Sequence, residues 1–483
     1  MKILCVYSVT SYSLKKELYC PADIPFGISF IATMLKKAGH DVRLAVVTPL
    51  ADLNRMFKKI LCDFDPGLIC LTSVSSQMPM IRKVGKIIKE NSPDIFVVLG
   101  GVHATLNPDE TVALDFLDAI CIGEGESAVC ELASQLQEGK KPSGIKNLWI
   151  KDRVNGLVEK NSLHPFEEDL DELPFIDREM WEPYISQKED MIYTVLAGRG
   201  CPNRCTFCSN HALSQITSGR YVRFRSPENI VEEIRQLLER DPMVSTVFLE
   251  TETLGANLRY TYDLLGHLER FQAGLKRPLK FGTNLALNPR IRNNRKLLEA
   301  FRRANLNFFR IGLESGSEEI RNKVLRRPKY KNQDLIEFCR MAREYDIKYT
   351  VNILIGLPGE SKKDFQETVR VTRLCRPTYG VSVCIFYPYP GTSLYNLCVE
   401  QNLLDARHGK SPSERTTSYL NLPEFTSWQI KMEYIFFYYK VFRGYEPMSK
   451  IMTKTLRYAV DAFPVFKQAI SRGFHFAASM ARK

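Results

Sequence analysis

Arg199-Gly200-Cys201-Pro202-Asn203-Arg204-Cys205-Thr206-Phe207-Cys208 sets three cysteines at 201, 205 and 208 in one short stretch broken by Gly, Pro and Asn. Cysteine usually favours the core, so three in a loop-forming stretch read as a ligand set. Thiolates are the usual ligands of iron–sulfur clusters. A tight loop can wrap three around one four-iron cubane and leave the fourth iron open. A structural zinc ion is the competing reading; it needs a fourth ligand, which His211 could supply.

Outward from this loop the chain alternates strand and helix. On its C-terminal side strands are expected over 194–197, 247–250, 308–313, 350–355 and 381–387. Helices are expected over 227–239, 297–304, 334–345 and 362–374. About six β/α units in succession predict an open or partial barrel, with the cysteines at its first β/α turn. On the N-terminal side, strands over 3–9, 41–47, 68–72, 95–99 and 119–122 alternate with helices over 27–38 and 80–90. That pattern predicts right-handed crossovers and a doubly wound, Rossmann-like parallel sheet. Ligands of such sheets sit beyond the carboxyl ends of the strands. The segment 72–77 with Ser73, and the glycines Gly100, Gly101 and Gly123, fall there.

Residues 146–190 include an acidic, proline-bounded run at 165–174 and read as a linker. Beyond residue 400 the pattern is helical and aromatic, with helices expected over 428–442 and 451–476. In the second, Met452, Leu456, Ala459, Val460, Phe463, Phe466 and Ile470 share one face, and Pro464 should kink it. The fold class is α/β. The expected division is 1–145, a linker 146–190, a barrel 191–400 and a helical region 401–483.

Composition bounds the rest. The chain has 483 residues, room for two or three domains, and its net charge of +12 favours an anionic partner without choosing one. Its 13 cysteines follow no disulfide spacing, and no apolar run approaches the ~20 residues of a spanning helix. The expected location is cytoplasmic, with reduced thiols.

The Cys-x3-Cys-x2-Cys loop, with Phe207 before the last cysteine, resembles the radical S-adenosylmethionine superfamily. The resemblance extends over about residues 191–400. Phe248-Leu249-Glu250-Thr251-Glu252 is similar to the strand end that holds the amino group of S-adenosylmethionine, with Glu250 preferred and Glu252 in reserve. Gly312-Leu313-Glu314-Ser315-Gly316-Ser317 resembles the fourth-strand motif that reaches ribose and carboxylate. The stretch from Asn352 through Gly356 to Glu360 resembles the fifth-strand motif whose backbone frames adenine. The resemblance implies that Cys201, Cys205 and Cys208 hold a [4Fe-4S] cluster whose open iron chelates S-adenosylmethionine. Reductive cleavage then gives methionine and a 5'-deoxyadenosyl radical, with no protein acid–base pair required.

The N-terminal stretch carries a second resemblance. Pro25 to Ser29, Leu35 to Val42, Gly100-Gly101-Val102-His103-Ala104-Thr105 and Gly123-Glu124-Gly125-Glu126 resemble the cobalamin-binding domain fused to many radical enzymes. Ser73, Gly100, Gly101, His103 and Gly123 are its candidate cobalamin contacts. The Asp-x-His-x-x-Gly motif that supplies a histidine to cobalt elsewhere is absent. His103 is therefore a candidate without that context.

Together these resemblances imply a methyltransferase. The radical would activate an unactivated carbon of a small-molecule or lipid-like substrate, and methylcobalamin would deliver the methyl group. They also imply an electron donor such as a flavodoxin or ferredoxin. Three alternatives use much of the same sequence: a cobalamin-linked cyclase or ring-rearranging enzyme, a transfer-RNA methylthiotransferase, and a non-catalytic cobalamin or redox sensor. The methylthiotransferase needs three further cluster cysteines and an RNA-binding tail. Cys5, Cys20, Cys62, Cys70, Cys121 and Cys130 are available, but several fall in expected strands and look like core, and no clear small β-barrel follows residue 400, which argues against a nucleic-acid partner. From Glu446 to Lys483 seven basic residues face two acidic ones. That balance, with an apolar stripe, offers a membrane surface as partner at the inner face of a membrane. A helix packed on the barrel is the plainer reading.

Overall fold

The computed structural model describes residues 1–9, 17–186, 191–409 and 414–463. These fall into two compact units, one of Met1–Glu189 with Ala212–Arg223 and one of Asp190–His211 with Phe224–Lys483.

The first unit is built on seven strands: β1 (Lys2–Ser8), β2 (Asp41–Val47), β3 (Leu68–Thr72), β4 (Phe96–Gly100), β5 (Ala119–Cys121), β6 (Leu148–Lys151) and β7 (Val158–Lys160). Their order is β2-β1-β3-β4-β5-β6-β7. The first five pair in parallel, while β6 and β7 add on antiparallel. The reversal of strand order at β1/β3 is the arrangement that opens a crevice at the carboxyl edge of a doubly wound sheet. β1, β3 and β4 are almost continuously buried Val, Ile, Leu and Cys, as strands covered on both faces must be. The helix Leu53–Phe64 buries Leu53, Phe57, Leu61 and Phe64, an i, i+4, i+8, i+11 stripe.

Here the expectation of a structureless linker over 146–190 meets a difference. β6 and β7 extend the sheet, and one buried carboxylate ties them in. Asp118 accepts from Val97 N at 2.7 Å and Lys89 Nζ at 2.9 Å, and Arg153, in the β6–β7 turn, binds both its oxygens. Two short strands of three and four residues leave too little periodicity to read from sequence.

The second unit carries six parallel strands: β8 (Met191–Leu196), β9 (Val244–Glu250), β10 (Lys280–Leu285), β11 (Leu306–Glu314), β12 (Lys348–Ile355) and β13 (Gly380–Ile385). Neighbours in the sheet follow sequence order, β13-β12-β11-β10-β9-β8, as in an open parallel barrel. β10 is the strand missing from the sequence reading. Its Gly282 lies under the Phe308 ring, where a Cβ would come within 2.0 Å of that side chain, and its Asn284 points at chemistry rather than core. Both choices break the apolar run that would have marked it.

The helices Ser427–Phe442 and Met448–Ala462 belong to this unit. Ile430, Phe437, Val441, Phe442 and Ile451 join its core. The helix expected over 451–476 is described to Ala462, and the kink at Pro464 lies outside the described residues. Its packed face is Ile451, Thr455 and Ala462, with Tyr458 set edge-on against Tyr434. Met452 and Leu456 are 55% and 66% exposed, so these two members of the expected stripe turn outward, while Ala459 and Phe463 pack against the core.

Candidate active site

The cysteine loop follows β8, and the other expected residues of this unit stand at the carboxyl ends of successive strands: Glu250 closes β9, Glu314 closes β11 with Ser315 next, and Gly356 follows β12. A parallel sheet places all these ends on one edge. The loop is pinned at both faces. Thr206 donates from N to Leu325 O at 3.1 Å and from Oγ1 to Val324 O at 2.6 Å, and accepts at its carbonyl from Leu394 N at 2.9 Å. Cys208 N donates to Cys205 O at 3.2 Å, tightening the turn, while Phe207 packs on the unit's core.

Burial pushes the Cys201 thiol up to about 11 and the Cys208 thiol up to about 12. It raises Cys205 as well, against the pull of the Arg327 guanidinium. Iron, which binds thiolate, must displace these protons. Among the described residues no three His, Cys, Asp or Glu side chains converge on one metal-ion position. Three thiols in one loop match a cubane, whose irons each take one thiolate.

Beside the loop lie two carboxylates. Glu250 is pushed up to about 7 by burial and by Glu252, against Arg310 and a hydrogen bond from Asn284 Nδ2 at 3.1 Å. Burial raises Glu252 too, with Asn210 opposing. Glu252 is among the charges that raise the Cys201 and Cys208 thiols.

The remaining motif residues shape backbone. Ser315 is buried and its Oγ accepts from Ser317 N at 3.3 Å within its own turn. Gly356, at φ +80°, admits Ile430, whose Cδ1 would lie 2.9 Å from a Cβ there. Glu360, which the sequence reading quoted without assigning a role, accepts from Gly356 N at 2.7 Å and Leu357 N at 3.2 Å. It bolts the Gly356 turn from inside, and burial pushes it up to about 8. Asn284 and Arg327 were not foreseen; one sits on an unread strand and the other in an arginine-rich stretch that looks like surface.

In the first unit, Ser73, Gly100, Gly101, His103 and Gly123 gather at the carboxyl ends of β3, β4 and β5. Gly101 (φ +97°) is required by close approach: a Cβ would stand 2.6 Å from Ser73 O and 2.9 Å from Thr72 Oγ1. Ser73 Oγ is taken by Met78 Sδ at 3.1 Å. Glu124, beside Gly123, is held by Arg223 at 2.7 Å. His103 pairs through Nδ1 with Ser75 Oγ at 3.1 Å, and burial lowers its basicity. Its Nε2 is buried without a partner, as is Ser8 Oγ at the carboxyl end of β1. Buried polar atoms seldom stay unpaired. Two orphans at the ligand-bearing edge of this sheet, beside backbone kept bare by glycine, fit a large ligand with polar substituents.

The family models match these two sites. Residues 195–372 match the radical SAM superfamily and residues 24–133 match the B12 binding domain. The chain thus carries a radical S-adenosylmethionine domain and, N-terminal to it, a B12-binding domain. It is 28% identical to the uncharacterized methyltransferase PH0819 of Pyrococcus horikoshii over 91% of this chain and 92% of that one. It is 25% identical to the anaerobic magnesium-protoporphyrin IX monomethyl ester cyclase of Rubrivivax gelatinosus over 77% of this chain and 65% of that one. Its fold is similar to that of the radical S-adenosylmethionine methyltransferase TsrM from Kitasatospora setae, solved with cobalamin and a [4Fe-4S] cluster. The TM-score is 0.66 and the identity 17%, over 83% of this chain and 75% of that one.

Proposed function

We propose that this protein is a cobalamin-dependent radical S-adenosylmethionine methyltransferase acting on a carbon of a small-molecule substrate. The observation that carries the reading is the pinned three-cysteine loop with buried carboxylates on one strand edge, in a chain whose other unit offers a glycine-bared edge with orphaned polar atoms. When bound, the cluster supplies the electron that cleaves S-adenosylmethionine and cobalamin supplies the methyl group. The chain's own part is to hold and orient. Cys201, Cys205 and Cys208 ligate iron, and Glu250, with Glu252 in reserve, takes the amino group of S-adenosylmethionine. Glu314 and Ser315 line its ribose and carboxylate, and the Gly356 turn, braced by Glu360, frames adenine. In the other unit Gly100, Gly101 and Gly123 let backbone approach the corrinoid, and His103 Nε2 and Ser73 lie at its edge. The physiological electron donor is of the flavodoxin or ferredoxin kind.

The test is anaerobic reconstitution of the full chain with iron, sulfide and hydroxocobalamin. Expected are about four irons and about one corrinoid per chain, with 5'-deoxyadenosine formed only when reductant is added. A cluster with no corrinoid would leave a radical enzyme and remove methyl transfer from cobalamin. In the same assay His103→Ala should weaken corrinoid binding roughly tenfold, the cost of about one buried hydrogen bond. Unchanged affinity would remove His103 from the contact set.

A lipid-like substrate gains support from one feature. Met448, Met452 and Leu456 stand 54%, 55% and 66% exposed on one stripe of their helix, with Lys450, Lys454 and Arg457 on its other exposed flank. Among the described residues no helix is long and apolar enough to cross a membrane, so the association we propose is with an anionic lipid surface. The full chain should co-sediment with anionic vesicles at low salt, and Met452→Asp with Leu456→Asp should abolish this. Equal sedimentation of parent and variant would remove the surface from the reading.

A further inference from the structure

Arg327 is buried against the cysteine loop. Its Nη1 lies 3.9 Å from Cys205 Sγ and 4.0 Å from Glu314 Oε1, and its Nη2 donates to Gly312 O at 2.7 Å. The Arg327 and Glu314 side chains are only 8% and 12% exposed. A guanidinium does not shed its proton in proteins. A fixed cation therefore stands beside the sulfur of Cys205, with a fixed counter-charge behind it.

Local structure is arranged around this pair. Gly312 leaves room for it: a Cβ there would stand 2.2 Å from Glu314 Oε1 and 2.8 Å from Arg327 Nη2. Glu314 is held at φ 61°, a left-handed conformation unfavourable to a residue other than glycine, which persists where its surroundings enforce it. The Tyr330 hydroxyl shares the Gly312 carbonyl at 3.2 Å and fixes the far side. Arg327 Nε is buried without a partner. The side chain is thus spent on the carbonyl, the carboxylate and the sulfur, at the expense of one donor.

We propose that Arg327 sets the reduction potential of the cluster bound through Cys205, with Glu314 as the opposing charge. This rests on the cluster assignment made above. Reduction adds one negative charge to a cluster already carrying three thiolates. Charge and hydrogen bonds at the sulfurs are among the levers that set such potentials. A buried cation with an N–H directed at a ligand sulfur stabilises the reduced form more than the oxidised one, and low local dielectric enlarges the difference. Glu314 acts in the opposite sense. Arg327 acts through Cys205, so it is a positioning and tuning residue rather than a catalytic one.

Opposite signs separate tuning from a merely structural strut. The measurement is a redox titration of the reconstituted full chain, followed by the electron paramagnetic resonance of the reduced cluster. It is run without S-adenosylmethionine, so that contacts to that molecule do not contribute. Arg327→Gln should shift the midpoint to more negative potential, and Glu314→Gln to more positive. Each shift should reflect at least a tenfold change in the reduction equilibrium, about 59 mV for one electron. Variants that keep their iron at the parent midpoint would overturn the inference while leaving the cluster assignment standing. If Arg327→Gln loses iron, Glu314→Gln decides by itself: a positive shift supports the role, and no shift overturns it. Iron absent from the parent protein would instead bring down the cluster assignment, and this inference with it.

Discussion

Single replacement of Cys201, Cys205 or Cys208 by alanine should each reduce 5'-deoxyadenosine formation by roughly three orders of magnitude or more, to background, because the three act as one unit. The loop offers no substitute. Of the remaining cysteines, Cys5, Cys70, Cys121, Cys339, Cys375 and Cys398 are buried in the cores of the two units. Iron content should fall with activity, since a cubane held by two thiolates is exposed to loss. The fold should persist, because the loop is anchored through Thr206 and Phe207 rather than through the thiols. Iron analysis, deoxyadenosine quantification and far-ultraviolet circular dichroism on the same samples give the check. A single variant that kept both iron and deoxyadenosine formation would falsify the assignment of that cysteine.

The second large effect is on stability. Asp118→Ala should cost the first unit about 3–5 kcal/mol, because it strips a buried carboxylate from Lys89 and Arg153 and leaves Val97 N without its acceptor. Lys89 is the more damaging orphan, since its side chain is 16% exposed against 38% for Arg153. Denaturant unfolding, followed by a probe in the first unit, should show an earlier transition for that unit. Arg153→Ala, which removes the more solvated partner, should show a smaller change of the same sign. Equal unfolding of Asp118→Ala and parent would mean that β6 and β7 are held by the ladder alone.

These residues mark how far the sequence could be read. The three cysteines were legible because ligand spacing is local: a loop of eight residues carries its own geometry. The strand ends at Glu250, Glu314 and Gly356 were legible because motif order follows strand order in a parallel sheet. Ser73, Gly101 and Gly123 were legible because doubly wound sheets place their loops on one edge. Asn284 was not, since Gly282 and Asn284 interrupt the very alternation that announces a strand. Neither was the outward turn of Met452 and Leu456, because hydropathy records a stripe without saying which neighbour, if any, will cover it.

By itself the sequence determined the two α/β units, the loop that can carry a cluster and the edge on which each site is built, because periodicity and ligand spacing are properties of neighbouring residues. Only the tertiary structure decided that Arg327 and Glu314, 13 positions apart and on different elements, close on Cys205. It also decided that Arg153 of the expected linker completes the pocket of Asp118. These are pairings of charges across distant segments. Their energies depend on burial and separation in space, and neither quantity is written in the order of residues along the chain.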